Sequence, residues 1–177
     1  MRILVAGIGN IFLGDDAFGC EVARQLAQQS WPENVRVVDF GIRGFDLAYA
    51  LLDGQDVTIL VDATPRGEAP GTLYSIEPDL NELDELDLEA IPETHGMNPL
   101  KVLKMVKAMG GEFKQILLVG CEPATFGPEE GVMGLSGPVQ AAVPEAVRII
   151  ESLIKQVERE TWAKETQNAN TQVVFDS

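Results

Sequence analysis

A chain of 177 residues, 45% hydrophobic and 23% charged, has the length and balance of one globular domain able to bury its own core. Its 28 acidic residues outnumber 13 Lys and Arg for a net charge of −15, which opposes nucleic acid and anionic membranes as partners because both would be repelled. No apolar run reaches the length of a membrane span. The apolar N-terminal stretch ends at Asp15 and Asp16 without a small-residue cleavage site, so no signal peptide is expected. Cys20 and Cys121 form no motif together, and a reduced, cytoplasmic setting follows as the expectation.

The stretch Ile3–Gly19, ILVAGIGNIFLGDDAFG, organises the rest. Ile3, Leu4, Val5 and Ala6 read as a short buried strand ending at Gly7, and Gly7, Gly9, Asn10 and Gly14 carry the chain through a turn. A helix over about Ala17–Gln29 follows, with Gly19, Val22, Ala23 and Leu26 at helical spacing. Strand, glycine turn and helix usually build a phosphate cradle. Here Asp15 and Asp16 occupy the helix start, repel a phosphate, and favour a cation instead, so the acidic pair is the first candidate for a metal-binding edge.

Val35–Phe40 reads as a second strand carrying Asp39, and the turn Gly41-Ile42-Arg43-Gly44 leads to a short helix with Phe45, Leu47, Leu51 and Leu52. A third strand, Val57–Ala63, delivers Asp62 at its carboxyl end. Alternating strands and helices at short spacing predict a parallel sheet covered on both faces. Ligands collect at the carboxyl ends of such strands, where Asp39, Asp62 and the Asp15–Asp16 pair all fall. Thr72–Ile76 adds a short strand, read as an antiparallel edge. Between Glu68 and Glu93 there are nine acidic residues and no Lys or Arg; the stretch reads as a solvated loop with one helical turn, the alternative being a negative surface that steers a basic partner.

His95, the only histidine, closes that loop. Asn98 can cap a helix that Pro99 opens, Leu103, Val106 and Met109 supply its apolar face, and Gly110-Gly111 end it. Ile116–Val119 is the last central strand and runs into Gly120-Cys121-Glu122-Pro123. Ser136 can cap the final helix, where Val139, Val143, Val147, Ile150, Ile154 and Val157 recur at helical spacing and Pro144 introduces a kink. The fold class expected is a single α/β domain over residues 1–160, with an about five-stranded, mostly parallel twisted sheet, one antiparallel edge strand and helices on both faces. A polar tail over residues 161–177 is expected to fray.

Asp16, Asp62 and His95 together would give two carboxylates and one imidazole with open positions, a donor set suited to nickel or zinc rather than magnesium. Taken singly, Asp16 reads equally as a helix cap and Asp62 as a loop-facing strand end. At this point the residues carry a resemblance. GIGNIFLGDDAFG, VVDFGIRG, ILVDA, His95, VGCEPATFG and Leu135-Ser136 resemble the nickel–iron hydrogenase maturation endopeptidases from about Arg2 to Lys155. The resemblance implies a selective endopeptidase that trims a C-terminal extension from the hydrogenase large-subunit precursor after nickel insertion. It places metal ligands on Asp16, Asp62 and His95, with nickel supplied by the substrate. Asp16 or Asp39 would act as the base, and Gly41, Arg43 and Gly44 would touch the substrate. The loop after Asp39 departs from the Gly-Gly-Thr-x-Gly of many members. No nucleic acid or membrane partner is expected.

Two rivals stand beside it. A dinucleotide-binding Rossmann-like module would use Asp39 for a ribose, although Gly7, Gly9 and Gly14 have the wrong spacing. A hydrolase would pair Cys121 with His95.

Overall fold

The computed structural model describes residues 1–85 and 97–172, and the side chains of these residues except 84 and 165–172. Among the described residues five strands form one sheet: β1 (Ile3–Ile8), β2 (Val35–Gly41), β3 (Val57–Ala63), β4 (Leu73–Ile76) and β5 (Gln115–Cys121). Four α-helices accompany them: α1 (Phe18–Leu26), α2 (Gly44–Leu52), α3 (Pro99–Ala108) and α4 (Gly137–Gln172). The strand order is β2-β1-β3-β5-β4, parallel throughout except where β4 runs antiparallel against β5. This is the single α/β domain expected, with its antiparallel edge on Leu73–Ile76.

β1 is buried on both faces, and its alternation divides the core. Ile3 and Val5 pack with Phe18, Val22 and Leu26 of α1 and with Val139, Val143, Ile150 and Ile154 of α4. Leu4, Ala6 and Ile8 face the other way, onto Leu47 and Leu51 of α2 and Leu103 and Val106 of α3. Successive side chains on a strand point to opposite faces, so one six-residue strand anchors both layers.

From β1 the chain passes through α1 to β2 on one side, then through α2 to β3 on the other side of β1. The winding therefore reverses between β1 and β3, and the connections leaving their carboxyl ends run to opposite faces of the sheet, with a crevice between them. Asp16 follows β1 and Asp62 lies in β3, so the topology alone sends both to that crevice.

Three boundaries differ from the sequence reading. β1 continues through Gly7 to Ile8, because Gly7 admits the close approach of α1: a Cβ there would meet the Gly19 carbonyl oxygen at 2.4 Å. Residues Gly14–Ala17 form a 3-10 turn before α1 begins at Phe18. α4 runs ten residues past Trp162, through Gln172, because nothing in Ala163–Gln172 is a glycine or proline that would stop it. The acidic stretch makes a 3-10 turn at Glu82–Asp84 with Leu83 buried, and its later part, 86–93, lies outside the described residues.

Candidate active site

Asp16 and Asp62 line the same cleft, a mostly apolar cavity of about 500 Å³ whose walls include Leu60, Met97, Pro99, Leu103 and Phe126. Asp16 sits on the Gly14–Ala17 turn, and its Oδ2 accepts the backbone N–H of Asn10 at 2.7 Å. Gly9 makes this turn possible: its φ is +144°, and a Cβ would stand 1.8 Å from the Asp16 carbonyl oxygen. Asp62 is half-buried near the end of β3. Burial and then the Asp16 charge push its carboxyl well above the usual carboxylate range, against a smaller opposing effect of the Ala63 backbone N–H. Two like charges in one apolar cleft form an environment that a cation would stabilise.

A second, smaller cleft of about 320 Å³ is lined by the Gly9–Phe12 loop. Asp39, Gly41 and Arg43 line it together with Cys20, and its rim carries the exposed side chains of Ile11, Phe12 and Ile42. Asp39 Oδ1 accepts the Gly41 N–H at 3.0 Å. The Arg43 guanidinium donates to the carbonyls of Phe40 and Asp39 and to the Asp46 carboxylate, so it braces the β2–α2 turn from within. Gly44 lines neither cleft; it opens α2 where a Cβ would meet the Met97 sulfur at 3.1 Å.

Cys20 lines the smaller cleft. Its thiol is buried, donates to the Gly9 carbonyl at 3.3 Å, and is pushed up strongly by burial, then by Asp39, Asp16 and Asp62. Of the metal ligands expected from the resemblance, the structure brings Asp16 and Asp62 together, while His95 lies outside the described residues. Among the described residues, no three His, Cys, Asp or Glu side chains form a ready metal cage.

Several contributors escaped the sequence reading. Asp15, grouped with Asp16 as a metal edge, turns away into the protein and is fully buried. Ser136 accordingly spends its hydroxyl on Asp15 at 2.9 Å, while its carbonyl accepts the first helical bond of α4 from Gln140. Asn98 does cap α3, accepting the Leu100 N–H at 2.9 Å. Glu122 is another buried carboxylate, receiving the N–H groups of Arg66 and Gly67 and the Tyr74 hydroxyl at 2.8, 3.1 and 2.6 Å. Burial alone would raise its carboxyl, but these bonds and the Glu68 backbone hold it below the usual range.

The rival readings fare poorly against this geometry. Cys121 is wholly buried in the core, and burial, with the charges of Asp15 and Glu122, pushes its thiol up to about 12. A nucleophile needs an accessible, low-pKa thiolate, and Cys121 offers neither. The turn after β1 presents acidic side chains and a buried 3-10 turn where a dinucleotide would require a helix start open to pyrophosphate.

An α/β domain whose winding reverses over a pair of acidic side chains has the architecture of an enzyme that works at its strand ends. A family model described as hydrogenase maturation protease matches residues 20–153, and the chain belongs to this family of peptidases. A relative from Methanocaldococcus jannaschii is 35% identical over 156 residues, 87% of this chain and 97% of its own. The hydrogenase 2 maturation protease of Escherichia coli is 30% identical over 88% of this chain and 92% of its own. The solved structure of the hydrogenase maturating endopeptidase HybD from E. coli superposes with a TM-score of 0.73 at 28% identity, covering 89% of this chain and 94% of that one. Among the described residues no helix is long and apolar enough to cross a membrane.

Proposed function

We propose that this protein is the endopeptidase that removes the C-terminal extension from the large-subunit precursor of a nickel–iron hydrogenase, acting after nickel has entered the precursor. The observation that carries the reading is the meeting of Asp16 and Asp62 in one cleft at the point where the sheet reverses its winding. A site holding two carboxylates is short of positive charge, and a nickel-bearing substrate brings that charge with it. Asp16, Asp62 and His95 are the residues that would reach the metal. Nickel is then part of the substrate, and it can polarise a carbonyl or acidify a water.

The bond broken is a peptide C–N bond. A water adds its oxygen to the scissile carbonyl carbon, Asp16 or Asp39 accepts the proton released, and that proton passes to the departing amine. Asp39 is exposed at the carboxyl end of β2, so its carboxylate can receive a proton from a substrate seated in the smaller cleft. The exposed Ile11, Phe12 and Ile42 on that rim suit burial under a macromolecular substrate. Gly41 and Arg43 are the wall against which its chain would lie. A cytoplasmic setting accords with two free, buried cysteines.

The test is direct. Candidate large-subunit precursors, loaded with nickel, are incubated with the protein and followed by mass spectrometry. A loss of mass equal to a C-terminal peptide is the expected result. An unchanged mass for every hydrogenase precursor of the source organism would contradict the reading.

A further inference from the structure

Asp15 does not face either cleft, yet its carboxylate receives four hydrogen bonds. Its Oδ2 accepts the N–H groups of Ala124 at 2.8 Å and Thr125 at 3.1 Å and the Ser136 hydroxyl at 2.9 Å, and its Oδ1 accepts the Ser136 N–H at 2.7 Å. The backbone extends the seam. Asp15 N–H donates to the Thr125 carbonyl at 3.0 Å, Gly14 N–H to Val132 at 2.8 Å, and Val132 N–H to Phe12 at 2.8 Å. The segment so gripped, residues 122–136, joins β5 to α4 and sends Phe126 into the cleft that Asp16 and Asp62 share. One carboxylate therefore fastens two walls of the site to each other.

We infer that Asp15 is a positioning residue: by locking the Gly14–Ala17 turn to the 122–136 loop it holds the Asp16 carboxylate and Phe126 at their places in the substrate cleft. The part of this inference that concerns turnover rests on the function proposed above. The part that concerns geometry does not. Asp16 carries its own position marker, because its Oδ2 bonds the Asn10 N–H at 2.7 Å and a shift of the turn would break that contact.

The chemistry requires an acid at position 15. All four partners are donors, and both carboxylate oxygens receive them. An asparagine offers one acceptor oxygen and must turn its NH₂ toward N–H groups that also donate, leaving at least one buried donor unmet whichever way it flips. The loop can escape that penalty only by moving away, and the turn bearing Asp16 is released with it.

The experiment compares residue-resolved amide hydrogen exchange, and kinetics on nickel-loaded precursor, in the full chain and in Asp15→Asn and Ser136→Ala. In Asp15→Asn the amides of Ala124, Thr125, Ser136 and also Asn10 are expected to exchange about tenfold faster or more, while Ile59 and Leu60 of β3 keep their protection. The same variant should lose about tenfold or more in kcat with KM little changed. Ser136→Ala, which removes the hydroxyl and leaves its N–H bond, should show the same pattern more weakly and serves should Asp15→Asn fail to fold. Faster exchange at 124, 125 and 136 with Asn10 still protected in both variants would overturn the inference, since Asp15 would then only tie down a loop. If the wild-type chain cleaves no precursor, the functional reading fails, and the Asn10 amide still decides the positioning role.

Discussion

Gly19 of α1 lies so close to β3 that a Cβ in its place would stand 2.1 Å from the Val61 carbonyl oxygen and 2.2 Å from that of Ile8. The contact is the reason α1 reaches the carboxyl ends of β1 and β3 directly, and it sets the Asp16 turn above Asp62. Gly19→Ala is expected to cost on the order of 3 kcal/mol or more, because backbone on two strands must move to admit one methyl group. Urea unfolding of the variant measures it.

Asp62→Asn keeps the shape of the side chain but removes a charge that a cation would need. Precursor trimming should fall roughly a hundredfold with the fold intact. Asp16→Glu keeps the charge and lengthens the arm, and partial activity is expected. Rates on nickel-loaded precursor, with circular dichroism as the control for folding, check both.

Cys121→Ser should leave trimming near wild type. The thiol is buried in the core and serves packing, so the change is expected to cost only about 1–2 kcal/mol of stability, read from the denaturation midpoint. Loss of activity in a folded variant would return Cys121 to the chemistry.

The far end of the sheet offers a pH test. Asp56 accepts a hydrogen bond from Lys114 and the Arg2 backbone N–H at 2.6 Å, joining the amino ends of β1, β3 and β5, and Lys114 first and Arg2 next hold its carboxyl below its ordinary 3.8. A carboxyl lowered by folding contributes stability above its unfolded pKa and loses it as pH falls through the folded value. Lys114→Ala should therefore cost about 0.5 kcal/mol at neutral pH. The difference from wild type should shrink as pH drops below 3.8 in urea titrations.

Removal of residues after Lys164 is expected to shift Tm by less than about 2 °C, since Val157 is the last α4 residue of the described core. A large drop would mean that the end of the chain contributes to the core.

Much of the architecture is legible in local pattern. Val57–Ala63 reads as a strand because six of its seven residues are apolar or β-branched, and the structure places β3 on those same residues. Asp16 and Asp62 could be placed at one crevice because strand ends in a doubly wound sheet converge whatever their sequence separation. What stayed hidden depends on long-range fit. Gly7 reads as a strand end, whereas the strand continues because α1 presses against it. Asp15 and Asp16 are chemically alike and adjacent, and only the 122–136 loop, over a hundred positions away, tells them apart. The placement of Cys20 beside Asp39 in the smaller cleft follows from the seating of α1 on β1, which no local periodicity encodes.

On the function proposed above, a nickel-bearing substrate completes the Asp16–Asp62 site. The cleavage rates of one large-subunit precursor in nickel-loaded and nickel-free form by the wild-type protein decide whether it does. Trimming of the loaded precursor and little or none of the metal-free one is expected. Equal rates on both would contradict it and would move the chemistry to residues that act without a metal.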